Sequence, residues 1–350
     1  MTSGYLLNRV FLQFDHETLH HDLSAVVFAE DCLWLGSDEE NSIERLVQLD
    51  ACTFGQHECF QFADLFDDFD DADGEVDVEG MAYDGSYLWI IGSHSTKRKK
   101  IKPDKVERLT TVKVEPNRYF LARVPLADKE LHQSYNDLTA AYLEKNKDGN
   151  VLMSALKTDE YFAPFLAEVS VNHPAMPGKD NGFDIEGLAV QDGRLLIGLR
   201  EPVLRGIAVM LEIEVEEVAP GQLTLKPIGS NGQPFKKHFL DLEGFGIRDL
   251  RRWNEELLIL AGPTMDLDGT ITLYSLKDPF DLEDNSLTVP GKHLKPIFDI
   301  PHGDRTDRAE GITPLPVMNR TDTLLVVYDS PAAERLIDQT GVLADVFTLE

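Results

Sequence analysis

One short motif constrains the fold of this chain more than any other feature of its sequence. It combines an acidic residue, usually a Glu–Gly pair, an apolar strand, a polar turn and a second apolar strand ending near Gly or Tyr. Five copies occur, at residues 22–36 (DLSAVVFAEDCLWLG), 77–92 (DVEGMAYDGSYLWIIG), 184–198 (DIEGLAVQDGRLLIG), 241–262 (DLEGFGIRDLRRWNEELLILAG) and 309–328 (AEGITPLPVMNRTDTLLVVY). Self-similarity of this kind indicates repeated supersecondary units that stack on one another.

Further strand-like segments follow each motif, which brings every repeat to about four strands. We therefore expect an all-β fold, a five-bladed β-propeller forming a single domain over residues 1–350. The last repeat supplies only three strands before Glu350, so the strand-like segment Tyr5–Phe14 is expected to complete that blade and close the ring. Closure removes the open edge strands that would otherwise pair with other chains. A seven-stranded sandwich is the competing interpretation, but it does not predict five similar units.

The second and third motifs are separated by extra sequence, which predicts an insertion in the second blade. Within it, the strings LTAAYLEKN and YFAPFLAEVS carry apolar residues at i, i+3 and i+4 spacing, the pattern of an amphipathic helix. We expect a helical insertion at about residues 128–175 that packs on the propeller. A basic run at residues 96–106 (TKRKKIKPDKV) precedes it. Together they form a surface on which a protein partner would dock.

The charge balance excludes one class of partner. The formal net charge is −29, from 62 acidic and 33 basic residues, whereas nucleic-acid binding is driven by clustered positive charge. The acidity fits either solubility or the binding of cations. No secretory leader or long apolar run is visible, and the three cysteines lack metal-ligand spacing. These features predict a cytoplasmic protein with no membrane segment.

The motif glutamates are the first candidates for a functional site. Each precedes an innermost strand, so we expect all of them to converge around one mouth of the channel, as metal ligands: Glu79, Glu186, Glu243 and Glu310. Four facing carboxylates do not all stay ionised unless cations or arginines neutralise them, and otherwise some of them become protonated. Calcium, which takes six to eight oxygen ligands, is the expected cofactor. Alternatively, each glutamate accepts backbone N–H bonds and locks the ring.

Segments after the second strands should meet the glutamates at the same mouth. They supply candidate ligand-binding residues: Ser93, Arg200, Glu201, Thr264, Asp266, Asp268, Arg308 and Asp329. His94 and Glu186 are the candidate catalytic residues, each as a general base. The glycine that follows each glutamate has a structural interpretation, because inner strands crowd the axis and Gly permits close backbone approach.

Several long strings resemble a bacterial family of propeller-like proteins described only as a domain of unknown function. They are VEGMAYDGSYLWIIGSHSTKRKK, FDIEGLAVQDGRLLIGLREPVLRG, AGPTMDLDG and RAEGIT, within residues 20–335. More loosely, the D-x-E-G-[LM]-A pattern is similar to one in phytase-like and esterase-like propellers, which are calcium-associated hydrolases. Only residues 77–82 and 184–189 match that pattern fully, and the other copies depart from it.

Two functional hypotheses follow. The first is a calcium-dependent ester or phosphoester hydrolase, in which a metal at the channel mouth polarises a small anionic or ester ligand and activates water. The second is a non-catalytic propeller that binds a ligand or a protein, in which the glutamates are structural.

Overall fold

The computed structural model describes residues 5–16, 19–167, 175–265 and 267–349, and over these residues the chain is mainly β. Its main strands form antiparallel groups that follow one another along the chain. The first three groups consist of Leu23–Ala29, Cys32–Ser37, Ser42–Asp50 and Thr53–Gln61; then Val78–Tyr83, Tyr87–Gly92, Leu121–Ala127 and Ala141–Leu143; then Asp184–Gln191, Arg194–Glu201, Ala208–Ala219, Gln222–Leu225 and Lys236–Leu240. The fourth and fifth consist of Gly246–Trp253, Glu256–Gly262, Ile271–Lys277 and Leu294–Ile300; then Arg308–Pro314, Thr323–Asp329, Gly341–Thr348 and Leu6–Gln13.

The first strand of each group, which we call its inner strand, lies beside the inner strands of the groups before and after it. This adjacency is cyclic, because the inner strand Leu23–Ala29 also packs against Arg308–Pro314. The ring is further tied by the N-terminal segment, since Leu6–Gln13 pairs antiparallel with Gly341–Thr348 as the sequence predicts. Two parallel contacts also join neighbouring groups at their outer strands, Phe11 with Thr53 and Tyr142 with Gln222.

The apolar core lies between the groups. Each buried cluster takes side chains from two consecutive groups, and the strand Arg194–Glu201 shows why. Leu195 and Ile197 pack toward the second group, whereas Leu196 packs toward the fourth. Because successive side chains of a strand point to opposite faces, a strand buried on both faces reads as an unbroken apolar run. This geometry explains the apolar runs that end each motif.

The helical insertion predicted at about residues 128–175 is not confirmed, because the described α-helices in that range, Val151–Leu156 and Ala163–Leu166, are short. Within the described part of the chain, the α-helices are Phe62–Leu65, Val151–Leu156 and Ala163–Leu166, and none reaches seven residues. The string LTAAYLEKN instead forms short strands, with Ala141–Leu143 pairing beside Leu121–Ala127. Ala141 and Leu143 are buried on one side and Ala140 on the other. Because this strand is buried on both faces, the spacing of its apolar residues resembles that of an amphipathic helix. The second string, YFAPFLAEVS, extends partly beyond the described residues.

The remaining regular structure is short. Small strands occur at Lys97–Arg98, Val112–Lys113, Glu130–Leu131, Ser134–Tyr135, Leu138–Thr139, Lys145–Asn146, Gly149–Asn150, Ser286–Thr288 and Leu336–Ile337. Single 3-10 turns lie at Leu19–His21, Asp71–Asp73, Val106–Thr110, Pro116–Tyr119, Gly178–Asp180, Ser230–Gly232, Pro279–Asp281 and Ala333–Arg335. None of the described helices is long and apolar enough to span a bilayer.

Candidate functional site

Every inner strand carries a β-bulge near its beginning, where the register with the second strand shifts. A bulge leaves one extra residue unpaired and re-aims its side chain. The residues at these shifts are Ser24, Glu79, Glu186 with Gly187, Arg248 and Glu310. Three of the four motif glutamates therefore occupy equivalent positions at one end of the inner strands.

Glu243 does not join them. It is exposed, has a positive φ of 60° and lies in the turn before the inner strand Gly246–Trp253. In the fourth group the bulged residue is Arg248. The segment Ile247–Leu250 therefore pairs with its second strand as the Glu–Gly segments pair with theirs in the other groups. The number of residues between the bulge and the hairpin turn indicates this difference in the sequence. Arg248 precedes Asn254 by as many residues as Glu186 precedes Asp192, whereas Glu243 lies much farther from Asn254.

The glycines of the motif also differ between the fourth copy and the other copies. A Cβ on Gly80 would lie 2.9 Å from the backbone nitrogen of Leu188 in the next inner strand, and one on Gly311 would lie 3.2 Å from that of Val26. A Cβ on Gly244 would meet nothing within 4 Å. The close approach of neighbouring inner strands thus requires glycine where the Glu–Gly pair lies at the bulge, and it does not require glycine in the fourth copy.

Two adjoining cavities open at this end of the channel. The one nearer the axis, which we call the axial cavity, has a volume of about 20 Å³. It is lined by Asp22, Leu23, Ser24, Asp38, Glu79, Lys179, Glu186, Arg200, Glu310 and Asp329. The rim cavity, of about 90 Å³, is lined by Asp38, Glu39, Asp77, Glu79, Ser95, Thr96, Lys97, Arg98, Lys100, Arg118, Pro177, Lys179 and Asp184. Asp38, Glu79 and Lys179 line both.

Arginines compensate some of these carboxylates. Arg200 pairs with Glu186, and Arg248 pairs with Glu310. Arg118 forms ion pairs with Asp77 and Glu75 at the rim. Pairing by arginine, one of the alternatives left open by the sequence, therefore accounts for two of the three converging glutamates.

Several carboxyl groups at the mouth, Glu310 among them, have raised pKa values. Burial, together with the charges of Asp77 and Glu186, raises the pKa of Glu79 well above its usual range. Burial and the Glu186 carboxylate likewise raise the pKa of Asp184. Burial raises the pKa of Glu310 to about 7 although Arg248 opposes it, and burial raises the pKa of Asp38 to about 7. These shifts follow because confined carboxylates disfavour a further negative charge.

Several buried polar atoms at the mouth have no hydrogen-bond partner within the described residues. Four are carboxylate oxygens and one is a guanidinium nitrogen: Asp38 Oδ1, Asp184 Oδ1, Glu186 Oε2, Glu201 Oε2 and Arg200 Nε. Glu186 is only 2 % exposed and Asp184 only 3 %. Buried polar groups are nearly always hydrogen-bonded, so unpaired oxygens of this kind mark a place for a donor.

His94 lies apart from the carboxylates. Its Nδ1 is 2.9 Å from the Gly92 carbonyl oxygen and its Nε2 is 2.9 Å from the Asn150 amide nitrogen. Since a carbonyl only accepts, Nδ1 carries the proton and Nε2 accepts from the amide. Burial lowers the pKa of His94 to about 4. The neighbouring Ser93 accepts a hydrogen bond from Arg118 at 3.3 Å. Both ring nitrogens of His94 are therefore engaged inside the fold.

The remaining predicted ligand-binding residues are spread around the mouth. Asp329 lines the axial cavity, and Glu201 accepts a hydrogen bond from the Met265 backbone nitrogen. Asp268 is exposed and accepts one from the Arg305 nitrogen at 3.0 Å. Thr264 and Arg308 are half-buried and line neither cavity. Asp266 lies outside the described residues.

Arg251 blocks the channel below the mouth. Its guanidinium donates to the carbonyl oxygens of Ile312 at 2.9 Å, Met81 at 2.7 Å and Val26 at 2.9 Å, which belong to three other inner strands. The Asp249 carboxylate lies 3.3 Å from the same guanidinium. Arg251 thus ties the inner strands together and makes the mouth a closed-ended site. Sequence reasoning missed it because its partners are backbone carbonyls of distant strands.

No three His, Cys, Asp or Glu side chains of the described residues are arranged to hold a metal ion. The oxygen atoms for such a site are present at the mouth, but Glu186 and Glu310 already face arginines.

A family model described as "Protein of unknown function (DUF3616)" matches residues 22–345. Among solved structures, similarity extends to the glutaminyl cyclase of Myxococcus xanthus, at 10% identity and a TM-score of 0.42 over 99% of this chain and 98% of that chain. The PQQ-bound aldose sugar dehydrogenase of Streptomyces coelicolor gives 12% identity and a TM-score of 0.42 over the same shares, 99% and 98%. A streptogramin B lyase gives 9% identity and 0.37 over 97% and 98%. No curated protein sequence matches, and similarities this distant carry no argument about activity.

Proposed function

This chain belongs to the DUF3616 family, proteins of unknown function, and we propose that it is a five-bladed β-propeller that binds a cation at one mouth of its channel. The cyclic adjacency of the inner strands supports the blade count. Each blade then corresponds to one antiparallel group, and the N-terminal strand completes the last of them.

One observation carries the cation proposal. Six carboxyl groups line the axial cavity, and among the described residues two cationic side chains, Lys179 and Arg200, line it with them. Among these acidic side chains, Glu186 is buried and its Oε2 atom has no hydrogen-bond partner among the described residues. A buried acceptor without a donor costs about 1–3 kcal/mol. A bound cation would remove that cost and would favour the ionised form of the carboxyl groups around it.

Calcium is the metal proposed for this site. The described carboxyl groups are not arranged as a ligand set, so Asp38, Glu79, Asp329 and the free oxygen of Glu186, which line the axial cavity, would have to close around the ion to bind it. A bound Ca²⁺ would supply Lewis-acid polarisation of a ligand oxygen.

A thermal melt tests the cation proposal directly. The protein is melted after EDTA treatment, and again with added Ca²⁺ or with an organic cation at matched ionic strength. Binding to the native state raises Tm as the ligand concentration exceeds Kd. We expect an increase with at least one cation that is lost in Glu186→Gln. The control variant Glu255→Gln removes one exposed carboxylate elsewhere and should retain the increase. No shift with any cation would refute the proposal.

A second candidate function, hydrolysis of an ester or phosphoester, is favoured by the carboxyl groups that titrate near neutrality. Asp38 and Glu310 both line the axial cavity with a pKa of about 7. Groups with such values exchange protons efficiently at neutral pH and are concentrated at catalytic sites. Lys97 and Lys100 line the rim cavity, where they would attract the anionic part of such a ligand.

The hydrolase proposal is tested with p-nitrophenyl acetate and p-nitrophenyl phosphate, with and without Ca²⁺. Turnover that is lost in Asp38→Asn and kept in Glu255→Gln would support it. Cation binding without turnover of either compound would favour the alternative of a non-catalytic ligand-binding or protein-binding propeller.

A further inference from the structure

We propose that the cation bound at the channel mouth is the primary ammonium group of an aliphatic amine. This inference rests on the proposed cation site and specifies the chemical class of its ligand. The two adjoining cavities provide three buried or half-buried carboxylate oxygens without partners: Asp38 Oδ1, Asp184 Oδ1 and Glu186 Oε2. A primary ammonium carries three N–H donors and no acceptor. Asp38, which lines both cavities, and Glu186 in the axial cavity are its proposed acceptors, and Asp184 offers another in the rim cavity.

Lys179 shows that an alkylammonium group is favoured in this position. Its side chain lines both cavities, between the axial and the rim carboxylates. Burial disfavours its charge, yet the Asp77, Glu79 and Asp38 carboxylates outweigh that effect and raise the pKa of Lys179. The same carboxylates would hold the ammonium of a ligand in its charged form. The pKa values of Asp38 and Glu79 are raised even with Lys179 in place. A second ammonium would lower them and would be balanced by the carboxylates that it ionises.

The lining also argues against a quaternary ammonium ligand. Such ligands are recognised by the faces of aromatic rings, and neither cavity has an aromatic lining residue. A quaternary group has no N–H donor, so the unpaired carboxylate oxygens would remain unpaired. The axial cavity, at about 20 Å³, has room for little more than the ammonium group itself, so the alkyl chain would extend into the rim cavity of about 90 Å³.

The test compares three probes by thermal melting and isothermal titration calorimetry at pH 7 in PIPES buffer, which neither precipitates Ca²⁺ nor contains a primary amine. The probes are n-butylammonium chloride, tetramethylammonium chloride and CaCl₂, each matched in ionic strength with NaCl. We expect n-butylammonium to raise Tm and tetramethylammonium to have no effect beyond that of NaCl. Loss of a hydrogen bond to a charged group should weaken n-butylammonium binding about tenfold or more in Asp38→Asn and in Glu186→Gln.

Asp38→Asn is included because Glu186→Gln leaves Arg200 without its carboxylate and is the variant more prone to misfold. Glu255→Gln, with the same change in net charge, should bind as the unchanged protein does. Equal stabilisation by both ammonium probes would overturn the inference, because charge alone would then explain binding. Stabilisation by Ca²⁺ without any by n-butylammonium would overturn it while leaving the cation site intact. No response to any probe would refute both proposals.

Discussion

Arg200 and Glu186 form an ion pair inside the channel mouth, although their side chains are only 7 % and 3 % exposed. Charges that are removed from water in this way are stabilised chiefly by each other, so the loss of either leaves the other uncompensated. The pair therefore determines both the stability of the mouth and the charge that a ligand meets.

Arg200→Met should lower the free energy of unfolding by about 3–5 kcal/mol, because Glu186 would remain buried without its partner. The double variant Arg200→Met/Glu186→Gln should be more stable than Arg200→Met alone, since the uncompensated charge is gone. Urea denaturation of the three proteins measures both effects. A single variant within about 1 kcal/mol of the unchanged protein would contradict the prediction.

Arg251→Met should be among the most destabilising substitutions in the chain. It removes the donors to three inner-strand carbonyls and takes from the buried Asp249 its ion pair with Arg251. We expect a loss of about 3–5 kcal/mol in chemical denaturation. The adjacent Arg252→Met is the control, because Arg252 is half-buried and its side-chain hydrogen bond within the described residues goes to the Asn254 carbonyl oxygen, at 2.7 Å. Similar losses in the two variants would show that Arg251 does not tie the strands.

Glu201→Gln should change how stability depends on pH. Burial raises the pKa of Glu201 to about 7 in the folded protein, even though the Met265 backbone nitrogen donates to it. Its contribution to stability therefore falls as pH rises from about 4.5, where the unfolded chain ionises, to about 7. As pH rises from about 4.5 to about 7, the free energy of unfolding of the variant should increase relative to that of the unchanged protein. At higher pH the difference between the two proteins should be constant. Denaturation at pH 5, 6, 7 and 8 measures the trend, and a constant difference throughout would contradict it.

His94 should remain neutral at every pH near neutrality. Its pKa of about 4 lies below the value for an unfolded chain, so its contribution to stability is complete above about pH 6.5 and declines as pH falls toward 4. Imidazole nitrogen shifts recorded by NMR from pH 5 to 8 should be flat for this residue. His94→Ala should cost about 1–3 kcal/mol, because the Gly92 carbonyl loses its donor. A titration midpoint above pH 6 would contradict this prediction and would support His94 as a general base.

Leu12→Ala should test closure by the N-terminal strand. Leu12 is fully buried in the cluster between the last and first groups, and truncation of a buried leucine costs about 2–5 kcal/mol. The neighbouring Gln13 is exposed, so Gln13→Ala should change stability by no more than about 0.5 kcal/mol. Equal, small effects at the two positions would indicate that this strand adds little to the ring.

Part of the candidate site was predictable from local sequence. The D-x-E-G strings placed Glu79 and Glu186 correctly at one end of the inner strands, because each bulge lies within its own hairpin. The same reasoning failed for Glu243, since the register of the fourth hairpin is set by the distance to its turn at Asn254 rather than by the motif letters. Lys179 and Arg118 were missed because they reach the mouth from segments outside the motif.

By itself, the sequence determined the repeat, the apolar runs of strands buried on both faces and the acidity of the channel mouth. These follow from local alternation and composition, which act over a few residues. Only the tertiary structure decided which residue takes each bulge, which arginine pairs with which carboxylate and that Arg251 closes the channel. Those relationships join residues far apart in the chain, such as Arg248 with Glu310 and Arg251 with Val26. They depend on how the inner strands pack around one axis, and no local pattern encodes that packing.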